Sequence, residues 1–433
     1  MHLVDVAKSR RYEQGAVRLP VEESGIATIY VAREALAHRR VARRNAFQHQ
    51  IAALPPQRNR RGLLRLGERG RFECDESQGN AGYDKSFSAL CEMSGLHFAM
   101  VPETRTPTIA GAAHLMPEPT ITRHPHGIFA VDTEYVRPGL AAAHIVQHNG
   151  RAAFVDVGTT LSVPYLLAAL EQLGIEREAV DWLLLTHVHL DHAGGAGALM
   201  QALPNAKAVL HPRGAPHLID PAKLIAGTRA VYGDAAFERL YGDIVPIAAE
   251  RVVLTKDGDR IDLAGRPFEL FHSPGHALHH QCFVDLDHPA VFTGDTFGLS
   301  YREFDTAQGA FIVPTTTPTQ FDPEQLIASI DRIVSYRPES VYLMHYSRVT
   351  DAQKLAADLK AQVRQFVQIA RRNADLPDVK AAIEKEMLEL WISLARKHGV
   401  KLPDVRIDAL LKDDIDLNAQ GLVVWIERQK RAA

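Results

Sequence analysis

The sequence is poor in cysteine and has no long apolar run. Its 433 residues include three cysteines, Cys74, Cys91 and Cys282, which form neither a CxxC pair nor a disulfide framework. No apolar segment approaches the roughly 20 residues that a membrane-spanning helix needs. The first residues, from Met1 to Asp5, lack the apolar core of a signal peptide. These absences predict a cytoplasmic protein that has no membrane partner.

An excess of charge of one sign is also lacking. The formal net charge is -3 at pH 7, so the whole chain offers no electrostatic reason to bind nucleic acid or a membrane surface. Hydrophobic residues make up 46% and charged residues 23% of the chain, which is typical of a globular protein. A chain of this length is expected to form about two or three domains.

The first of three unlike parts is an arginine-rich extension over residues 1–115. Arginine pairs recur there without a helical or strand period, and residues 55–70 are polar and predicted to be disordered. The pairs are Arg39-Arg40, Arg43-Arg44 and Arg60-Arg61. We interpret the extension as a solvated tail or as a segment upstream of a true start at Met116. The alternative is a basic arm that binds nucleic acid or an anionic partner.

The second part, residues 116–350, alternates predicted strands, turns and helices. Asn149-Gly150 separates two apolar runs, which predicts a tight hairpin. Ser162-Val163-Pro164 begins a leucine-rich helical face that ends at Gly174. Strand-rich halves with flanking helices favour an α+β sandwich of two sheets covered by helices.

The third part, residues 351–433, is predicted to be helical throughout. Leu355, Leu359 and Val363 recur at helical spacing, and Leu417, Leu422 and Ile426 indicate a last short helix. These stripes are interpreted as helices packed on one another or on the preceding domain. The alternative is that they wall a substrate pocket or form a homodimer surface.

Between Thr186 and Gly195 the chain reads THVHLDHAGG, which places three imidazoles and a carboxylate within six positions. The four side chains are His187, His189, Asp191 and His192. Neutral imidazole nitrogen and carboxylate oxygen are ligands that suit zinc and its neighbours. The string follows an apolar run, residues 180–185, that is predicted to be a buried strand. The donors are therefore expected on a loop at the carboxyl end of that strand, where open α/β sheets place their sites.

Three further donors each follow an apolar stretch later in the chain. His276 comes after residues 267–272 and a Pro-Gly turn, Asp295 after residues 290–292, and His345 after residues 340–343. Each donor can therefore lie at a strand end on the same edge as the string.

The ordered set HxHxDH, His, Asp, His resembles the metallo-β-lactamase superfamily in its glyoxalase-II-like hydrolase branch, over roughly residues 120 to 350. The resemblance implies an αββα sandwich and a site for two divalent metal ions. Zinc is favoured for a histidine-rich site, and iron or manganese are the alternatives.

The resemblance also implies a role for each donor. His187, His189 and His276 would bind the first metal, Asp191, His192 and His345 the second, and Asp295 would bridge the two. A metal lowers the pKa of bound water, so hydroxide becomes available at neutral pH. Asp191 would also orient that hydroxide as a catalytic residue. Asp156, at the end of an earlier predicted strand, would orient a ligand imidazole through a hydrogen bond.

Substrate contacts are predicted in the loop after Asp295, because that loop adjoins the metals. Tyr301 could donate a hydrogen bond to an oxyanion, as a catalytic and substrate-binding residue. Arg302 could bind a carboxylate or phosphate. The alternative for each is bonding within the loop itself.

These patterns predict a metal-dependent hydrolase that acts on a small ester, thioester or lactone. No basic cluster for gripping glutathione is evident, which argues against a true glyoxalase II, and the bridging carboxylate argues against an antibiotic-hydrolysing β-lactamase. The first alternative is an iron-dependent sulfur dioxygenase or another redox member of the same fold. The second is a nucleic-acid-associated protein that uses the arginine-rich arm.

Overall fold

The computed structural model of the protein describes residues 117–316 and 320–432. The predictions made for the arginine-rich extension and for a start at Met116 lie outside the described residues. Within the two described ranges, no helix has both the length and the hydropathy that crossing a bilayer requires.

Seven strands form the first sheet, in the order of the chain. They are β1 (Ile121–His124), β2 (Ile128–Asp132), β3 (Ala142–His148), β4 (Arg151–Val155), β5 (Val180–Leu184), β6 (Lys207–Leu210) and β7 (Val252–Leu254). Strands β1 to β4 pair antiparallel and β4 to β7 pair parallel. Asn149 and Gly150 join β3 to β4, both at positive φ, so the predicted hairpin is confirmed.

Six helices follow or cover the first sheet. They are α1 (Val163–Leu173), α2 (Leu190–Ala193), α3 (Ala196–Ala202), α4 (Ala215–Ile219), α5 (Ala222–Tyr232) and α6 (Asp234–Tyr241). Helix α1 has Pro164 in its first turn and ends at Gly174, which adopts the left-handed conformation at φ 66°. Its buried Leu166 and Leu170 share one core with Phe154 of the sheet. This leucine face is the one that the sequence predicts.

Six strands form the second sheet, in the order β13-β12-β11-β10-β9-β8. They are β8 (Arg260–Leu263), β9 (Arg266–His272), β10 (Gln281–Asp285), β11 (Ala290–Gly294), β12 (Ser340–Leu343) and β13 (Ser347–Val349). All neighbours pair antiparallel except β11 and β12, which are parallel. Val155 and Leu184 of the first sheet pack against Phe268, Phe283 and Phe292 of the second, so the two sheets form a sandwich.

Four helices cover the outer face of the second sheet. They are α7 (Pro323–Ser335), α8 (Ala352–Asn373), α9 (Val379–Lys397) and α10 (Asp404–Ala432). Leu355, Leu359 and Val363 of α8 are buried in one core with Phe271 of β9 and Trp391 of α9. The predicted αββα sandwich with a C-terminal helical region is therefore confirmed. The boundaries proposed at residues 115 and 350 stay predictions.

The last helix is much longer than the sequence analysis predicts. Helix α10 has 29 residues and begins at Asp404, whereas the stripe recognised in the sequence begins at Leu417. Charged residues between 404 and 416 obscure the earlier part of the stripe. Ile407, Leu411 and Ile415 continue it at intervals of four residues and are buried.

Candidate metal centre

The seven predicted donors follow strands whose carboxyl ends meet at one edge of the sandwich. The string from His187 to His192 follows β5, His276 follows β9, Asp295 follows β11 and His345 follows β12. Because β10 is antiparallel to both β9 and β11, and β11 is parallel to β12, the last three strands end on the same side. The local pattern of strand and loop therefore assembles residues that are far apart in the chain.

A first group of donors consists of His187, His189, His276 and Asp295, whose ligand atoms all lie within 4.8 Å of one another. Nε2 of His187 lies 2.7 Å from Nδ1 of His189, and Nε2 of His276 lies 3.2 Å from the same atom. Oδ2 of Asp295 lies 3.4 Å from Nε2 of His276. Three imidazole nitrogens and one carboxylate oxygen thus converge on one point.

A second group consists of Asp191, His192 and His345, which meet the same 4.8 Å limit. Oδ2 of Asp191 lies 3.3 Å from Nε2 of His345 and 3.6 Å from Nε2 of His192. The Asp191 side chain is 20% exposed, whereas those of His192 and His345 are 0% and 7% exposed. Asp191 is therefore the member of this group that solvent reaches most easily.

Asp295, a member of the first group, also lies close to the second group. Its Oδ2 faces His276 of the first group, whereas its Oδ1 lies 3.2 Å from Nε2 of His192 and 3.7 Å from Nε2 of His345. Nε2 of His192 and Oδ1 of Asp295 are buried and make no hydrogen bond. Buried polar atoms are normally satisfied, so a donor set with such orphaned atoms fits a bound cation.

In three of the histidines a hydrogen bond holds one ring nitrogen, Nδ1, and thereby turns the other, Nε2, toward the donor groups. Nδ1 of His192 donates to Oδ2 of Asp156 at 2.9 Å, and Nδ1 of His345 donates to the carbonyl of Leu140 at 3.1 Å. Nδ1 of His276 lies 3.4 Å from the carbonyl of Thr315. A proton held on Nδ1 leaves the Nε2 lone pair available, which is the form that a metal requires.

Asp156 has the position that the sequence analysis gives it, and Thr186 is the partner that the analysis missed. The backbone N–H and the hydroxyl of Thr186 both donate to Asp156, at 2.8 Å each. The same hydroxyl lies 3.1 Å from Nδ1 of His187. Asp156 and Thr186 thus connect His187 and His192, one ligand candidate in each group. The available signal was that Asp156 directly follows β4 and that Thr186 comes two residues after the end of β5.

His280 holds the backbone of Asp295 through a hydrogen bond. Its Nε2 accepts the backbone N–H of Asp295 at 3.2 Å, and its Nδ1 lies 2.7 Å from the hydroxyl of Ser273. Gly294 makes this approach possible, since a Cβ there would lie 2.5 Å from Oγ1 of Thr186 and 2.8 Å from Nε2 of His280. A glycine directly before Asp295 is therefore required by packing.

Burial and the charges of neighbouring groups shift the pKa values of the donors in different directions. Burial and the neighbouring histidines hold the pKa values of His187 and His189 well below the usual range, so both are neutral. Burial also lowers the pKa of His192, but Asp295 and Asp191 outweigh it, and the net pKa is well above the usual value. Burial raises and the neighbouring imidazolium charges lower the pKa of Asp191, with a net value of about 2. A dense set of ionised carboxylates attracts positive charge, as a metal site requires.

Tyr301 and Arg302 both make contacts within the protein. The hydroxyl of Tyr301 is buried and donates to Asp414 of α10 at 3.0 Å. Burial raises the pKa of Tyr301 well above its usual value, so the proton stays on the hydroxyl. The guanidinium of Arg302 donates to the carbonyls of Ser300 and Arg348, at 2.6 Å and 3.4 Å. Their roles as substrate contacts stay predictions.

Three tyrosines and the helix pair α5–α6 lie next to the HxHxDH string. Leu190, inside the string, shares a small core with Phe237 and Tyr241 of α6, and Tyr135 and Tyr232 pack against it. The hydroxyls of Tyr135 and Tyr241 lie 3.2 Å apart. Sequence reasoning missed this group of three tyrosines, because Tyr135 lies 106 residues from Tyr241 and no spacing signal joins them.

Comparison with known proteins agrees with this geometry. Residues 136–345 match the family model described as metallo-beta-lactamase superfamily. A metallo-beta-lactamase fold-containing protein of Sulfurisphaera tokodaii is 25% identical over 270 residues, covering 61% of this chain and 93% of that protein. A hydroxyacylglutathione hydrolase of Klebsiella pneumoniae is 31% identical over 150 residues, covering 35% of this chain and 44% of that enzyme.

A solved structure shares the fold. The metallo-beta-lactamase family protein of Thermus thermophilus superposes with a TM-score of 0.51 at 19% identity, covering 71% of this chain and 94% of that one. The superposition, the family match and the hydroxyacylglutathione hydrolase relatives agree with the resemblance recognised in the sequence. The chain therefore carries a metallo-beta-lactamase superfamily domain.

Proposed function

We propose that the protein is a hydrolase that uses two divalent metal ions, preferably zinc, to cleave a small ester, thioester or lactone. The observation that carries the proposal is Asp295, whose two carboxylate oxygens face different donor groups. A carboxylate in this position is suited to bridging two cations. Relatives named hydroxyacylglutathione hydrolases support hydrolysis of an acyl compound.

The donor chemistry favours hydrolysis over binding alone. When bound by these residues, two divalent cations would make a hydroxide nucleophile available at neutral pH and would polarise a carbonyl group. The nitrogens that would hold the cations belong to His187, His189, His192, His276 and His345. His192 would release a proton when a cation binds, because Asp295 and Asp191 raise its pKa despite burial. Asp191 both contacts His345 and is partly exposed, so its carboxylate can hold and orient the attacking water's proton.

The substrate would approach from the side of Asp191. Tyr135 and Tyr232, which are half-buried beside the string, offer aromatic faces for the apolar part of a small acyl substrate, and the buried Tyr241 packs behind them. The small-molecule substrate, the cytoplasmic location and a homodimer stay predictions.

Metal analysis and a substrate panel test the proposal together. Purified protein should contain about two zinc ions per chain and should hydrolyse at least one of a set of aryl esters, thioesters and acyl lactones. His189→Ala should lower both metal content and activity, whereas His148→Ala, at the end of β3 and outside both donor groups, should change neither. One iron per chain would favour the redox alternative. Unchanged metal content in His189→Ala, together with no response to any substrate, would exclude the proposed function.

A further inference from the structure

Two polar side chains of α10 reach toward the loops that carry the metal donors. Asp414 and Asn418 are one helical turn apart, and the amide of Asn418 donates to the carbonyl of Asp414 at 2.7 Å. Asn418 is 1% exposed, and the other buried residues of this helix are apolar. Burying an amide costs free energy unless its hydrogen bonds are made, so the partners of Asn418 are informative.

Asn418 holds the loop that contacts His276. Its Oδ1 accepts the backbone N–H of Thr316 at 2.8 Å, and its carbonyl accepts the Thr316 hydroxyl at 3.2 Å. The carbonyl of the preceding residue, Thr315, faces Nδ1 of His276. A shift of Thr316 would therefore move the group that orients a candidate ligand of the first metal.

Asp414 holds the loop that contacts His345. It accepts the hydroxyl of Tyr301 at 3.0 Å and 3.2 Å with its two oxygens. The preceding residue, Ser300, donates its N–H to the carbonyl of His345 at 2.6 Å and accepts the N–H of Tyr346 at 3.2 Å. Helix α10 is thus connected to one candidate ligand of each donor group.

We propose that α10 positions the metal centre, with Asn418 acting through Thr316 on His276 and Asp414 acting through Tyr301 on His345. Both are positioning residues, since neither belongs to a donor group. The family match ends at residue 345, so it assigns no role to this helix. The inference rests on the proposed metal site and adds to it a separate support for each cation.

Titration of the metal-free protein with Co²⁺ against a coloured chelator tests the inference. The first group has three imidazoles and the second has two, so the two bound Co²⁺ ions should differ in their visible absorption. Asn418→Ala should weaken the Co²⁺ with the three-imidazole spectrum by about tenfold and leave the other unchanged. Asp414→Ala should do the reverse, and Asp414→Asn, which still accepts the Tyr301 hydroxyl, should restore binding.

Gln420→Ala is the matched control, because Gln420 lies on the same helix and its side-chain amide donates to Asp416, which belongs to neither loop. If the wild-type protein binds two Co²⁺ ions and Asn418→Ala leaves both affinities unchanged, the inference is wrong while the proposed function stands. If the wild type does not bind two Co²⁺ ions, the proposed function itself fails.

A folding defect can be separated from a positioning effect. Asn418→Asp keeps an oxygen that accepts the Thr316 N–H, although it replaces the amide that donates to the Asp414 carbonyl by an ionisable carboxyl group, so it serves if Asn418→Ala unfolds. A wild-type three-imidazole spectrum in Asn418→Asp supports the inference. Equal weakening of both Co²⁺ ions in that variant overturns it.

Discussion

Asp156 and His192 are joined by a hydrogen bond of 2.9 Å between Oδ2 and Nδ1, although they lie 36 residues apart. The carboxylate follows β4 and the imidazole follows β5, which are parallel neighbours. The bond keeps the proton of His192 on Nδ1 and turns Nε2 toward Asp295. It is therefore the contact that makes this imidazole a ligand candidate.

We predict that Asp156→Ala weakens metal binding by about 10- to 100-fold, because the orientation and basicity of His192 are lost together. Competition with a chelator measures the change. Asp181→Ala is a suitable control, since Asp181 pairs with Arg151 away from the donor groups. Equal metal affinity in the two variants would contradict the prediction.

Removing the carboxylate between the two groups should change the number of bound metals. We predict that Asp295→Ala binds about one metal ion per chain where the wild type binds two, and that any hydrolysis falls at least about 100-fold. Elemental analysis after dialysis gives the stoichiometry. Asp287→Ala, in an exposed turn of the same sheet, should keep both ions. Two ions retained in Asp295→Ala would show that Asp295 does not bridge.

Replacing two helix glycines by alanine should change the free energy of unfolding in opposite directions. A Cβ at Gly197 in α3 would lie 1.9 Å from the carbonyl oxygen of Val245, so the backbone must move. Gly197→Ala should lower the free energy of unfolding by about 3 kcal/mol. A Cβ at Gly227 in α5 meets no atom within 4 Å, so Gly227→Ala should raise that free energy by about 0.5–1 kcal/mol. Denaturant unfolding of both variants measures the contrast, and a stable Gly197→Ala would contradict it.

Asp414 should make the stability of the metal-free protein depend on pH. Burial raises the pKa of Asp414 to about 7, although His345 and Tyr301 act in the opposite direction. A carboxyl whose pKa is raised on folding contributes stability that is full below its unfolded pKa, near 4, and is lost as the pH rises through 7. The metal-free protein is the right sample, because nearby cations would lower this pKa.

We predict that Asp414→Asn removes roughly 2 kcal/mol of the stability loss that the wild type shows between about pH 5 and pH 8. Denaturant midpoints of both proteins across that range provide the measurement. If the denaturant midpoints of the two proteins change equally with pH, Asp414 is ionised in the folded protein throughout that range and the prediction is wrong. Asp404→Asn, at the exposed start of the same helix, should show the same pH dependence of stability as the wild type.

The donors could be predicted from the sequence because each has a local signal. His187, His276, Asp295 and His345 all follow short apolar runs, and a run that forms a strand places the next residues at a sheet edge. The dense string after β5 then indicates which edge matters. No knowledge of distant contacts was needed for this part of the site.

The supports from α10 could not be predicted in this way. Asp414 lies 113 residues from Tyr301, and Asn418 lies 102 residues from Thr316. Neither pair has a spacing that a helix or strand period explains, and both depend on how α10 packs against the loops. Tyr301 shows the same limit, because its place in the loop after Asp295 was predictable and its bond to Asp414 was not.

The donors are shared between the two sheets, since the string follows β5 of the first and His276, Asp295 and His345 follow strands of the second. Cations bound between them would crosslink the halves of the sandwich. Because such ions bind only the folded arrangement, the melting temperature of the protein would rise with the concentration of free metal. A chelator would then lower the melting temperature of the metal-loaded protein, even when no substrate is present.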